Sequence, residues 1–355
     1  MVKVSKNGGE KMEKPSYFIG VDMSSETFTA SVGTYPWRVV GSPESFENSA
    51  EGFGNLLEWL QKHGYKPDES IVCMEATGVY GQPLAYYLVA HNYFVAVEPP
   101  LKVKRAFPTH GHKNDITDSE NLAEYAYRFF DELHLWQPPD NVLKQVKTLL
   151  KTREQLTRNL TAYKNTLRVL KREVVRTPTA EKMYEGLIGE LKSLIGKIDE
   201  EIRSLMGKHP FFNPMLNLLL SIPGVGLQLA SYVIVITQGG KREPKSRELA
   251  AYIGICPYEH SSGKSVYRRP HSKKNGSGSI RKLLYLSSLS LRTHEYYFKE
   301  YFLRKALQGK PKRLLINNIS NKLLRIICAV MRSGRPYIPG YMSLNPVALR
   351  VKKCA

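Results

Sequence analysis

The sequence predicts an α/β domain over residues 17–131, a basic helical hairpin with a coiled-coil seam over 132–210, and a mostly α-helical domain over 211–355, preceded by a flexible tail at 1–16. Three observations predict this. Short Ile- and Val-rich runs between Tyr17 and Val97 interleave with amphipathic stretches, the alternation of an α/β domain. Apolar residues recur at heptad spacing from Val146 to Val174. Ile222-Pro223-Gly224-Val225-Gly226 then joins two apolar stretches of helical period.

Taken in order, residues 1–15 are polar and rich in Gly and Lys, without the apolar core of a signal peptide. Tyr17 to Val32 reads as strand, turn at Ser24-Ser25-Glu26, strand, because Thr27, Thr29 and Ser31 alternate with Phe28, Ala30 and Val32. A third strand is expected around Arg38-Val39-Val40, before a loop containing Pro and Ser. Phe53, Leu56, Leu57 and Leu60 share one face of a helix from Ser49 to His63. Ile71 to Glu75 is a strand, Gln82 to His91 a helix, and Tyr93 to Val97 a strand stopped by Pro99-Pro100. A helix from about Thr117 to Asp131 closes a unit with a mixed sheet.

In the hairpin, Val146, Leu160, Leu167 and Val174 take one seam position, with Arg153 interrupting, and Leu149, Leu156, Tyr163 and Leu170 take the other, about four heptads in all. Lys147, Lys151 and Arg158 lie on its basic outward face, which suits either a nucleic-acid partner or plain solvation. After the break at Thr177-Pro178-Thr179, a second stripe is expected at Leu187, Leu191, Leu194, Ile198, Ile202 and Leu205. Downstream, Leu216 to Thr237 reads as a helix-hairpin-helix, whose Gly224 and Gly226 amides can hold a DNA phosphate, or as an ordinary packed turn. Tyr258 to Gly276 reads as a basic Ser/Gly loop, followed by helices over Ile280–Arg292 and Ile316–Arg332.

The net charge of +20 and a pI near 9.6 call for a polyanionic partner, most simply nucleic acid. The four cysteines, Cys73, Cys256, Cys328 and Cys354, show no paired spacing, which speaks against a structural zinc site and for the reducing cytosol. No apolar run reaches membrane-spanning length.

Four acids carry the chemistry. Asp22 and Glu75 end or interrupt apolar strand-like runs, a costly place for a carboxylate unless it is paired or holds a metal. Asp115 and Asp118 are three apart at a helix start and so share a face. This all-oxygen set suits Mg²⁺, with Mn²⁺ as its substitute. Helix capping or surface pairing accounts equally for some of them, Asp118 above all. Among the neighbouring acids, Glu98 is the strongest further candidate, ahead of Glu26 and Glu120.

Ile19-Gly20-Val21-Asp22, Glu75-Ala76-Thr77-Gly78 and Lys113-x-Asp115-x-x-Asp118 resemble the DEDD motifs of the Piv-type transposases and DNA invertases, the insertion-sequence family numbered one-ten. Ile222-Pro223-Gly224-Val225-Gly226, Leu249 to Pro257 and Ser262-Gly263-Lys264 resemble that family's second domain. The similarity spans most of Tyr17 to about Arg292. Ser119 stands where the family often has Ala, and Asn275 to Gly278 departs from its usual pattern. The resemblance implies a RuvC-like, ribonuclease H-like first domain whose Asp22, Glu75, Asp115 and Asp118 bind Mg²⁺. It also implies a serine nucleophile, Ser262 by motif match with Ser261 as competitor, in a composite site completed between subunits. Further implications are donor and target DNA and a bridge RNA guide; the coiled coil and two strand exchanges suggest a homodimer assembling into a tetramer, expected in the prokaryotic cytoplasm at the nucleoid.

The residues agree with such chemistry. A serine hydroxyl needs activation, and Lys264, Arg268, Arg269, Lys273 and Lys274, with Lys113 beside the helical acids, can neutralise phosphate. Three rivals stand: a metal-only junction nuclease, in which water attacks; a non-catalytic nucleic-acid-binding protein; and a site-specific invertase, which shares every residue.

Overall fold

The computed structural model describes residues 14–76, 78–107, 114–241, 245–262, 266–272 and 276–340, and of 259–262 and 266–270 the backbone alone. The chain forms two compact units, Met1–Pro138 and Pro139–Ala355.

The first unit is built on strands β1 (Tyr17–Met23), β2 (Thr27–Thr34) and β3 (Arg38–Glu47). Helix α1 (Ala50–Lys62), strand β4 (Ser70–Glu75), helix α2 (Gln82–Ala90), strand β5 (Phe94–Glu98) and helices α3 (Pro100–Ala106) and α4 (Asp115–Arg128) follow. The sheet order is β3-β2-β1-β4-β5. The β1–β2 and β2–β3 pairs are antiparallel, and β1–β4 and β4–β5 parallel, so the expected mixed sheet is present. Two expectations need correction. The third strand runs on through Pro43 to Glu47; as an edge strand it needs no amide from that proline. Pro99-Pro100 ends β5 but also starts α3, because proline suits the first helical turn.

Period two sorts the central strands onto two faces. Ile19, Val21, Val72, Met74 and Val95 enter one buried cluster with Leu56, Leu60, Leu84 and Leu88 of α1 and α2. Phe18, Ile71, Cys73 and Ala96 enter the other, with Leu122, Tyr125 and Ala126 of α4. Being covered on both faces, β1 reads as a continuous apolar run.

In the second unit, helices α5 (Asn141–Leu170) and α6 (Pro178–Lys208) form a long hairpin. Tyr163 meets Tyr184 near the turn, and Arg153 pairs with Asp199 further down, so the helices are antiparallel. Arg153 interrupts the apolar seam for a visible reason: its guanidinium makes two bonds to Asp199, at 2.6 and 2.9 Å. The second stripe is shifted from expectation. Ile188 is buried and Ile195 half-buried, while Leu187 and Leu194 are exposed. A strict three-four alternation from Tyr184 through Ile188, Leu191, Ile195, Ile198 and Ile202 governs burial there, and the exposed leucines sit one residue out of step. Val174 lies beyond the end of α5 and is fully exposed.

Helices α7 (Phe212–Leu220), α8 (Leu227–Ile236) and α9 (Ser246–Ile253), strands β6 (Pro257–Ser262) and β7 (Val266–Ser272), and helices α10 (Gly278–His294), α11 (Tyr296–Leu307) and α12 (Lys312–Ser333) complete the unit. Leu143, Val146 and Leu150 of α5 and Ile202 and Met206 of α6 share one core with α7 to α12. The region expected to be a loop over Tyr258–Gly276 contains an antiparallel β-hairpin. Its sequence lacks an apolar alternation, so pairing of the backbone leaves no period-two signal to read. α11 was also unforeseen. By length and composition α12 passes for a membrane span, but half of that stretch is packed within the unit, as in a core helix.

Candidate active site

Backbone placement sets Asp22 and Glu75 at one strand edge, with the first turn of α4 above it. On β1, Phe18, Gly20 and Asp22 share the face toward α4; on β4, so do Ile71, Cys73 and Glu75. The strands are parallel, with Val21 opposite Met74, which brings Asp22 and Glu75 to the same end of adjacent strands. This carboxyl edge of parallel strands is where α/β sheets bind ligands. Glu98 follows at the end of β5, directly opposite Glu75.

Helix α4 brings Asp115 and Asp118 over this edge. Asn114 caps it, its side-chain oxygen accepting from the Ile116 amide at 2.9 Å, which fixes where the first turn begins. Gly20 lets the helix descend onto β1: a Cβ there would lie 2.0 Å from the Ser119 carbonyl oxygen and 2.3 Å from the Ala123 nitrogen. Ser119, one residue past Asp118, is fully buried, and its hydroxyl lies 2.6 Å from that of Ser31 on β2. It also donates to the Ile116 carbonyl at 2.8 Å. The hydroxyl at 119 therefore ties the acid-bearing turn to the sheet. Sequence reasoning noticed Ser119 and Gly20 but gave neither this task; a glycine inside a strand was the available signal.

Two expectations follow from this docking. Gly20→Ala should lower unfolding free energy by at least about 1–3 kcal/mol, since backbone rather than a side-chain tip blocks the new methyl; denaturant titration measures it. Ser119→Ala strands the buried Ser31 hydroxyl and should cost about 1–3 kcal/mol, whereas adding Ser31→Ala should recover most of that loss. Equal destabilisation by the single and double variants would contradict the hydroxyl pairing.

Asp115 is exposed, and Asp22, Glu75 and Asp118 are half-buried. Among the described residues, no three His, Cys, Asp or Glu side chains stand within joint reach of a metal ion. The fit to a divalent ion thus lies in donor chemistry and backbone placement: oxygen donors on one face, at one strand edge, under a pinned helix. Bringing like charges closer costs Coulomb energy that a bound cation removes. Glu98 is committed elsewhere, only 4% exposed and paired with Lys102 at 3.0 Å. Burial first, then the charges of Glu98 and Glu75, raises the Cys73 thiol far above its usual range, so Cys73 is an inert core residue.

In the second unit, Ser262 ends β6 and pairs with Val266, and Ser261 pairs with Tyr267. Arg268 and Arg269 lie on β7. Lys113, Lys264, Lys273 and Lys274 fall outside the described residues. The hairpin's return is anchored beside α9: Arg281 donates to the carbonyls of Ile253 at 2.8 Å and Gly276 at 2.6 Å. A Cβ on Gly276 would lie 1.9 Å from the Tyr252 carbonyl oxygen, which explains the glycine. Gly224 has φ +77° in the turn between α7 and α8, and Ile222 and Val225 flank it as core residues. Lys147 and Lys151 are exposed, whereas Arg158 is ion-paired with Glu154 at 2.7 Å.

Comparison with known proteins identifies the family. Residues 19–174 match the profile described as DEDD transposase of the IS110 type, and residues 216–303 match that of the transposase IS116/IS110/IS902 family. The pilin gene-inverting protein of Moraxella lacunata is 30% identical over 325 residues, covering 90% of this chain and 97% of that protein. The chain belongs to the IS110 transposase family. The transposase for insertion sequence element IS1111A of Coxiella burnetii is 27% identical over 256 residues, 64% of this chain and 68% of that one. This IS110-family protein is therefore a transposase or recombinase enzyme whose substrate is DNA. The family's DEDD signature implies use of a divalent metal.

Proposed function

We propose that this transposase cuts and rejoins DNA through a phosphoserine link at Ser262, with Asp22, Glu75, Asp115 and Asp118 as the Mg²⁺-binding set of a RuvC-like domain. The observation carrying the reading is the placement of Asp22 and Glu75 at one end of adjacent parallel strands, with the turn bearing Asp115 and Asp118 held over them by Gly20 and Ser119. In the reaction, the Ser262 hydroxyl loses its proton and attacks phosphorus; the displaced DNA oxygen leaves as a hydroxyl. Attack by a DNA hydroxyl on the phosphoserine then restores the serine, and the phosphodiester count is unchanged, so no ATP is required. Bound Mg²⁺ would supply charge neutralisation and ease loss of a hydroxyl proton. Lys113, Lys264, Arg268, Arg269, Lys273 and Lys274 neutralise phosphate around the reacting centre.

Finer parts of the reading follow from charge and periodicity. Gly224 and Gly226 offer amides to a DNA phosphate in a helix-hairpin-helix manner. The α5–α6 hairpin presents Lys147, Lys151 and Arg158 to a bridge RNA guide. Exposed Met183, Leu187 and Leu194, off the hairpin's internal seam, serve as contact residues of a coiled coil between protomers, giving dimers that pair into a tetramer. The enzyme would act in the cytoplasm, at the nucleoid. Inversion of a DNA segment is the second reading, favoured by similarity along 97% of a pilin gene-inverting protein. Trapping a covalent protein–DNA adduct tests the central claim.

A further inference from the structure

Carboxylates stop at Glu300. No Asp or Glu occurs between Tyr301 and Ala355, while Lys and Arg continue throughout. α11 and α12 gather several of these cations. Along α12, Asn318, Lys322, Arg325, Ala329 and Arg332 follow at steps of four and three, one stripe of a helix. All but Asn318 are exposed, and the opposite edge buries Ile316, Leu323 and Ile327. Tyr301 joins α11 to the stripe: the Lys322 Nζ stands 3.5 Å over its ring, and Asn318 donates to its hydroxyl at 3.3 Å. Arg304 and Lys305 lie three and four residues past Tyr301, on the same side of α11.

Partial burial, then the positive charges of Arg304, Arg325 and Lys305, push Lys322 below the usual lysine pKa. Cations crowded in an acid-free stretch repel one another, and a polyanion relieves that repulsion. The dimensions suit a duplex backbone: the cations from Lys322 to Arg332 span about 15 Å of α12, the rise of about four base pairs. Lys322 covers one face of the Tyr301 ring, and the exposed stripe of α12 itself carries no aromatic side chain for base stacking, which favours a duplex backbone over a single-stranded loop.

We propose that Lys322, Arg325 and Arg332 of α12, with Arg304 and Lys305 of α11, form a sequence-independent binding surface for the phosphate backbone of duplex DNA. It holds DNA by counterion release and contributes no base readout. The proposal rests on the family's DNA substrate and is independent of the serine chemistry.

The test uses the full chain and a labelled duplex of about 30 base pairs of arbitrary sequence, titrated over a salt series. The neutral triple variant Lys322→Gln/Arg325→Gln/Arg332→Gln should bind roughly tenfold or more weakly near 0.15 M salt, and its log–log salt slope should fall by about 2–3. The charge-keeping variant Arg325→Lys/Arg332→Lys should retain the wild-type slope. An unchanged slope in the neutral variant overturns the proposal, as does equal loss in both variants. Weaker binding of an RNA duplex of the same length, with DNA binding untouched, also overturns it, in favour of an RNA surface. Adduct formation by the neutral variant at low salt, where binding is saturated, scores Ser262 separately, so either reading can fail without the other.

Discussion

Ser262→Ala is expected to abolish the covalent protein–DNA adduct. Wild-type protein incubated with labelled donor and target DNA in Mg²⁺ should yield a protein-linked label that survives denaturant. Ser261→Ala should keep it. The expected contrast is all or none, because no other group can form the same ester once the attacking oxygen is gone. Ser262 ends β6 in a hairpin whose return is anchored by Arg281, and the exchange removes one hydroxyl without adding bulk. Thermal unfolding should therefore match wild type. Cleavage without an adduct, unaffected by Ser262→Ala, would refute the nucleophile assignment and leave a metal-dependent nuclease in which water attacks. An adduct lost only in Ser261→Ala would move the role by one residue.

The second large effect is expected at the acids. Asp22→Asn and Glu75→Gln should each slow strand cleavage roughly a thousandfold, the rate equivalent of about 4 kcal/mol of lost transition-state stabilisation. Chelation of divalent ions should do the same to wild type. Each substitution keeps the side chain's size, so both variants should remain folded, which circular dichroism checks. That pairing of outcomes separates a metal-binding role from a structural one. Glu98→Gln serves as the contrast. Its carboxylate is buried against Lys102, so the variant should lose stability by leaving a charge without its partner. Retained cleavage in both Asp22→Asn and Glu75→Gln would overturn the assignment of these acids to metal binding.

Much of the site was legible because its acids break local rules. A carboxylate closing an Ile/Val run, as at Asp22 and Glu75, is conspicuous in any sequence, and so is an acid pair at a helix start. The mixed sheet was legible too, because β1 and β2 alternate visibly and β4 and β5 are short apolar runs bounded by turns. The β6–β7 hairpin was not. Its strands, PYEHSS and VYRRPHS, show no regular apolar alternation, so only backbone pairing reveals it. Leu187 and Leu194 misled for the opposite reason: they are apolar, near the right spacing, and turned outward.

By itself, the sequence determined most of the element types, the basic character and the residues with the right chemistry, since these rest on local period, composition and side-chain type. Tertiary structure alone decided which acids share an edge, because strand register and parallel pairing are non-local: Val21 opposite Met74 sets Asp22 beside Glu75. It also decided that α4 sits low enough to bring Asp115 and Asp118 over them. That depends on one missing Cβ at Gly20 and one buried hydroxyl pair, Ser31 with Ser119, contacts between residues far apart in the chain that no local pattern encodes.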